Sequence, residues 1–351
     1  MIDTEEKLAE LLSRLRPAPW LAVDTEADSL HAYPEKLCLL QISFVNADEL
    51  IDPLARIDLS PLWTEISRHE LIFHAADYDL RLLRKNHSFV PEKIFDTMLA
   101  ARLLGEKEFG LTNLVKNFLG LTLEKGSQKA DWARRPLTER MEAYARNDTH
   151  HLKPLADILR ARLEEKGRLE WHREWCARWI RDSARFEANG NDPWRIKGSH
   201  RLGQRPLTVL REVWQWRERE ALAANRPPFF ILNHETLVDI ATAAGTGRPW
   251  KEILPRHLKA RRVQALEDAV EVGLHIPSEE QPEILEFIRP PRQSESEKQR
   301  YLQIMRRRDQ SAEQLQIDPT LIASRAALLA LAEDWERCAP DLMEWQRGLL
   351  E

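Results

Sequence analysis

The stretch Trp20-Leu21-Ala22-Val23-Asp24-Thr25-Glu26 constrains this chain more than any other. Its four apolar residues read as a buried strand over 20–24. Two carboxylates one residue apart follow at once. Side chains alternate across a strand, so Asp24 and Glu26 project to the same side. Like charges there repel each other and resist losing water. A divalent cation held by oxygen ligands relieves both costs. A surface Asp-x-Glu pair that caps the next element is the ordinary alternative, and the stretch alone does not decide between them.

The flanking pattern supplies a frame. Residues 1–16 read as an amphipathic surface helix ended by Pro17 and Pro19. Apolar runs at Leu37–Val45 and Leu50–Asp52 join the first strand in an expected antiparallel meander. Strand-helix alternation follows: helix over 59–67, strand over 71–74, helix from Asp77 to Asn86, strand over 94–97, then helices over 98–104 and 111–118. Strands first and alternation afterwards predict an α/β domain with a mixed sheet covered by helices. Residues 121–137 read as an ordered loop, and Thr138 as the cap of a helix running toward Leu155. A Trp-rich helical region extends to about Phe186, and Asn189 to Pro193 forms a linker. Past it the pattern is helical throughout, broken at Arg226-Pro227-Pro228, at 277–283 and at Pro290-Pro291-Arg292. These C-terminal blocks carry no paired acids, His-Cys clusters or Gly-rich loops, and read as binding modules.

Composition narrows the class. A chain of 351 residues exceeds a single core. A net charge of −5 does not announce a nucleic-acid binder, although clustered catalytic acids also lower net charge. Cys38, Cys176 and Cys338 lie far apart, which excludes a cysteine zinc site and suggests a reducing, cytoplasmic setting. No run approaches the ~20 apolar residues of a membrane span, and the N-terminus does not read as a signal peptide.

Two further places carry acids in context. His74-Ala75-Ala76-Asp77-Tyr78-Asp79 follows a strand; Asp77 is placed to cap the next helix, and Asp79 lies in its first turn. Tyr144 and Asp148 stand four apart and share a helical face. Each has an ordinary explanation as a cap or a hydrogen bond at the core edge. Together with Asp24 and Glu26, the set is what a two-metal phosphodiester hydrolase needs: ions about 3.5–4 Å apart that clamp the attacking and leaving oxygens.

These segments resemble the three motifs of the DEDD 3′→5′ exonucleases, in the subclass with Tyr in the third motif (DEDDy). Phe95-Asp96-Thr97-Met98-Leu99-Ala100-Ala101 and the run from Lys125 to Leu137 are similar to the ribonuclease D branch. Leu210–Ala241 resembles an HRDC domain, the helical module shared with RecQ helicases. The tail, with Ile317-Asp318-Pro319 and Trp345-Gln346-Arg347, resembles a second, more divergent one. The resemblance implies an RNase H-like exonuclease domain over 1–190, followed by all-α HRDC-type domains over 200–282 and 293–351.

It also implies roles. Asp24 would bridge two metals, Mg²⁺ or Mn²⁺. Glu26 and Asp148 would hold the metal that activates water, and Asp79 the second; the choice of Asp79 over Asp77 rests on the Asp-Leu ending of the motif. Tyr144 would position the nucleophile. Leu30, His74, Lys125, Gln128, Arg134 and Arg135 are candidate nucleic-acid contacts. The expected activity is 3′→5′ exoribonuclease, releasing nucleoside 5′-monophosphates from RNA with a free 3′ end such as tRNA precursors, by a monomer. A DNA 3′→5′ exonuclease is the alternative, and a non-catalytic nucleic-acid-binding scaffold a further one. Arg306-Arg307-Arg308 and the run Arg256–Arg262 read as solvated surface, and the Trp residues at 171, 175, 179, 214 and 216 as packing.

Overall fold

The structure, a computed structural model, describes residues 1–124, 126–185, 192–256, 258–284 and 294–351. The expected linker residues 189–191, the break at 290–292, and Phe186 and His257 lie outside them. By its described residues the chain divides into two compact units, one drawn from 1–27, 37–185 and 290–351, the other from 28–36 and 186–289.

The first unit holds a five-stranded sheet. Strands β1 (Leu21–Ala27), β2 (Leu37–Phe44) and β3 (Ala47–Ile51) form the expected antiparallel meander. β4 (Glu70–Phe73) and β5 (Lys93–Asp96) add in parallel on the other side of β1, giving the order β3-β2-β1-β4-β5. β1 is therefore central. Every residue of β2 is buried, and Leu21, Ala22 and Val23 are 0% exposed, so covered faces on both sides fix the register.

Helices α1 (Glu5–Leu15), α2 (Ser60–Ile66), α3 (Asp77–His87), α4 (Thr97–Leu104), α5 (Leu111–Leu114), α6 (Glu139–His150), α7 (Leu152–Glu165) and α8 (Leu169–Arg185) surround the sheet. α6 begins as expected, with Thr138 Oγ1 accepting from Met141 N–H at 3.3 Å. It buries Met141, Ala145 and Thr149, an i, i+4, i+8 stripe, against β2 and β3. That rotation carries the adjacent stripe, Tyr144 and Asp148, toward the end of β1.

The C-terminal helices α12 (Glu295–Leu315), α13 (Pro319–Ile322), α14 (Arg325–Glu333), α15 (Trp335–Cys338) and α16 (Glu344–Leu350) belong to this first unit. Ile304, Leu321, Ile322, Leu328 and Trp345 share one hydrophobic core with Leu99 and Leu155. Trp171 stacks on Trp345 with centroids 4.6 Å apart, which bears out a packing role for that Trp. In the run 306–308, Arg306 and Arg307 are exposed as expected, while Arg307 also donates to the Leu350 carbonyl and Arg308 to that of Ala323.

The second unit packs α9 (Gln204–Ala224), α10 (His234–Gly245) and α11 (Ala260–His275) around Val209, Val213, Trp216, Leu237 and Leu266. The segment 28–36 groups here: Tyr33 O–H donates to Glu218, and Tyr33 N–H to Asn225 Oδ1 at 3.3 Å.

Candidate active site

The carboxylate oxygens of Asp24, Glu26 and Asp148 lie within 4.8 Å of one another. β1 supplies the first two from one side of the strand, and α6 delivers the third. Tyr144, one turn earlier on α6, donates its phenol hydrogen to Asp148.

Asp79 arrives from a different direction. β4 ends at Phe73, and α3 starts three residues beyond His74. The turn between them is held by Asp96, whose carboxylate accepts from Ala76 N–H and Leu99 N–H, each at 2.7 Å. Ala75 sits at φ 66°, a left-handed conformation that a side chain adopts at some cost, and the Asp96 bond next to it holds it there. The first turn of α3 then faces the end of β1, and Thr25 Oγ1 donates to Asp79 Oδ1. Asp77 was expected to cap α3. It is instead the first helical residue, exposed, and paired with Arg81 at 2.5 Å; the helix has no side-chain cap. Asp79 is 5% exposed and faces the acids.

All five residues line one cavity of about 720 Å³, with His74, Tyr78, Gly110 to Asn113, Glu124, Gly126, Gln128 and Asn147 among the other walls. No Lys or Arg among the described residues lines it. The crowding disfavours ionisation of the acids. Burial, then Asp148, pushes Asp24 well above the usual carboxylate range. Burial, then Asp24, Asp148 and Asp79, pushes Glu26 up to about 10. Burial, then Asp24, raises Asp79, against the opposing pull of the Thr25 hydrogen bond. Burial raises Asp148 to about 7 although Tyr144 opposes it. Asp79 is buried and Asp24, Glu26 and Asp148 are half-buried; four such acids with hard oxygen donors, and no Lys or Arg among the described residues lining their cavity, fit divalent cations of the Mg²⁺ and Mn²⁺ class.

The softer candidates separate. His74 and Gln128 line the cavity. Thr97 Oγ1 donates to the Phe73 carbonyl at 3.1 Å, so His74 Nδ1 must donate to Thr97 at 2.9 Å, and Nε2 is left as an acceptor. Burial holds this imidazole down at about 4, hence neutral. Arg135 differs from the expectation of a phosphate contact: its guanidinium donates to both Asp52 oxygens at 2.7 and 2.6 Å, to the Cys38 carbonyl at 2.6 Å and to the Trp132 carbonyl at 2.8 Å. A planar fork with its donors so engaged anchors the loop to the sheet. Arg134 is exposed on the same loop, Leu30 is exposed on the segment that groups with the second unit, and Lys125 lies outside the described residues.

Thr25 and Gly126 were missed by the sequence reading. Alternation assigns Thr25 to the face opposite the acids, and nothing in the pattern shows that α3 reaches it. A Cβ on Gly126 would fall 2.4 Å from Tyr144 Cδ2, so the loop rests directly on the phenol ring. The glycine was visible, but its neighbour was not.

Comparison with known proteins agrees with this geometry. The 3′-5′ exonuclease family model matches residues 1–164, and the HRDC domain model matches residues 207–246. Ribonuclease D of Granulibacter bethesdensis is 30% identical over 99% of this chain and 90% of its own length. Ribonuclease D of Gluconacetobacter diazotrophicus is 36% identical over 70% of this chain; the chain spans 63% of that relative's length, and likewise of the Acidiphilium cryptum protein. Among solved structures, Escherichia coli RNase D superposes with TM-score 0.77 at 25% identity, covering 100% of this chain and 98% of that one. The catalytic core of RRP6 from Trypanosoma brucei gives 0.63 at 26% identity, over 78% and 79% of the two chains. An RNase H-like exonuclease architecture with the acids of all three motifs in one cavity, followed by an HRDC domain, places this chain in the ribonuclease D family.

Proposed function

We propose that this protein is a divalent-metal-dependent 3′→5′ exoribonuclease that releases nucleoside 5′-monophosphates. The observation that carries the reading is the meeting of Asp24, Glu26, Asp79, Tyr144 and Asp148 in one cavity. Asp24, Glu26, Asp79 and Asp148 would hold two ions, Mg²⁺ or Mn²⁺, which supply an activated water and charge neutralisation at the scissile phosphate.

The chain's own residues do the rest. Tyr144, engaged with Asp148 and backed by Gly126, presents its phenol where the attacking water must be oriented. Its own ionisation is suppressed, first by burial and then by Asp148, Glu26 and Asp24, so it acts as a neutral donor. His74 Nε2 offers an acceptor on the cavity wall, suited to a ribose hydroxyl, and Gln128 offers an amide. No Lys or Arg among the described residues lines the cavity, and bound cations would supply positive charge at the phosphate.

In this reading the domains run over 1–190, 200–282 and 293–351. The HRDC domain, with α12 to α16 as a second HRDC-type module, grips the body of a structured RNA such as a tRNA precursor while its 3′ end enters the cavity. Shape and backbone contacts suffice for that kind of recognition. The protein acts as a cytoplasmic monomer. Among the described residues, no helix is long and apolar enough to cross a membrane.

The test offers single-stranded RNA, single-stranded DNA and a tRNA with a 3′ trailer to the wild type and to Asp24→Ala and Asp148→Ala, each with Mg²⁺ and Mn²⁺. Stepwise shortening of the RNAs from the 3′ end, abolished in both variants with the fold intact, is expected. Preferential degradation of DNA would shift the assignment to a DNA exonuclease, and retained activity in either variant would falsify the metal-site assignment.

A further inference from the structure

Gln41 stands in the middle of β2 and is 0% exposed. Its neighbours along the strand, Leu39, Leu40 and Ile42, are equally buried and apolar. Neither Oε1 nor Nε2 of its side chain has a hydrogen-bond partner among the described residues. Buried amides are paired almost without exception, and leaving one unpaired costs about 1–3 kcal/mol, so a Gln kept in an apolar strand calls for a function. A Leu or Met would fill the same space without that cost.

Its place in the register points to one. Gln41 is directly opposite Asp24 across the antiparallel β1–β2 pair. Directly paired residues share a face, with Cβ atoms roughly 4.5–5.5 Å apart, within reach of a glutamine side chain. The other strand neighbour, Leu50 on β3, is apolar and buried. The same face is covered by α6, which presents Ala145 to the core and carries Asp148. The residue directly opposite Gln41 thus offers an anionic acceptor, the Asp24 carboxylate. The Asp24 carboxylate accepts a backbone amide from Thr25 and faces the repulsion of Asp148.

We propose that Gln41 is a positioning residue for Asp24: in the cation-loaded site its Nε2–H donates to the Asp24 carboxylate and fixes the direction in which that group presents its oxygens. The inference rests on reading the acids as a metal site. Partners of this kind orient a ligating carboxylate, and losing one typically weakens metal binding or activity by about 10–100-fold.

The experiment uses the full chain, stripped of metal with EDTA, with Mn²⁺ as the probe. Mn²⁺ dissociation constants are measured by isothermal titration for the wild type and for Gln41→Met and Gln41→Leu, alongside melting temperatures and RNA turnover at saturating Mn²⁺. Both variants should melt no lower than the wild type without metal, because an unpaired buried amide has been removed. Both should bind Mn²⁺ roughly 10–100-fold more weakly. Turnover should fall while the KM for RNA stays unchanged. A wild type that binds no Mn²⁺ would sink the metal-site reading, and this inference with it. A wild type that binds Mn²⁺, with variants matching it in affinity, would sink the role of Gln41 alone. Variants that bind Mn²⁺ normally but melt well below the wild type would show that Gln41 only serves folding, through a buried water, and would overturn the proposal.

Discussion

Thr25→Val is the sharpest perturbation of the site. Thr25 is 7% exposed in the central strand, and its hydroxyl donates to Asp79, itself 5% exposed. Valine keeps the β-branched shape and close to the same volume, so the strand and its packing persist. What is lost is the donor that opposes the rise in the Asp79 pKa caused by burial and Asp24. A hydrogen bond to a charged group contributes about 1.5–3 kcal/mol, and its loss leaves that carboxylate less able to ionise in a dry site. In the cation-free protein burial and Asp24 disfavour the ionised form of Asp79, so the cost there is smaller, about 1 kcal/mol. The difference between the two states therefore falls on cation binding and turnover. It amounts to about 0.5–2 kcal/mol, roughly a 2- to 30-fold loss, since 1.4 kcal/mol is a factor of ten. Single-turnover hydrolysis of a 5′-labelled oligoribonucleotide across a Mn²⁺ titration reads the loss directly, with Thr25→Ser as the control that retains the hydroxyl. A Thr25→Val protein that melts normally and turns over within twofold of the wild type refutes the reasoning. So does a Thr25→Ser protein as impaired as the valine variant.

Three other outcomes are expected. Tyr144→Phe should lower single-turnover rates by roughly 10- to 100-fold, the worth of one charge-assisted hydrogen bond, while the Mn²⁺ affinity moves much less; an unchanged rate would remove the orienting role of the phenol. Arg135→Ala should destabilise the fold by about 2–3 kcal/mol in chemical denaturation, below the 3–5 of a fully buried pair because the guanidinium is partly solvated; a stable variant with a raised KM for RNA would return Arg135 to phosphate contact. The pH dependence follows from Asp148 at about 7 and Glu26 at about 10, against ordinary values of 3.8 and 4.5. Because both folded-state values are raised, the folded state binds more protons over those windows, so these groups destabilise the cation-free protein as pH rises from about 4 to about 10. A cation must displace those protons, so the difference in melting temperature between Mn²⁺ and EDTA should widen from about pH 6 to about pH 8.5. A constant difference would show that the acids are not the binding groups.

The parts of this fold legible in the sequence are those governed by local periodicity. The meander, the strand-helix alternation and the cap at Thr138 each follow from spacing within one element. The acids were legible for the same reason: Asp24 and Glu26 share a strand face, and Tyr144 and Asp148 share a helix face. What could not be read is what one element does to another. Arg135 in a basic loop resembles a phosphate ligand until Asp52 and the Cys38 carbonyl, remote in sequence, are found around it. Asp77 precedes a helix as a cap should, but the turn at Ala75 is held by Asp96 from the neighbouring strand, which frees Asp77 to pair with Arg81. The C-terminal helices read as a separate module, while their apolar faces enter the core of the first unit.

The strained pair in β1 is thus one part of a cluster whose members are not equivalent. Asp24 receives a backbone amide from Thr25, Asp79 receives the Thr25 hydroxyl, and Asp148 receives the Tyr144 phenol. Each of these donors favours the ionised carboxylate. The causes that act on Glu26 all push the same way: burial and three neighbouring acids raise it, and none lowers it. Glu26 is therefore the member whose charge depends most completely on a cation arriving. Its ionisation lowers the cost of holding a cation beside Asp24 and Asp148, and a bound cation lowers the cost of its ionisation, so proton loss and cation binding reinforce each other. Proton loss and cation binding are coupled in this way because four acids meet in a cavity that no Lys or Arg among the described residues lines.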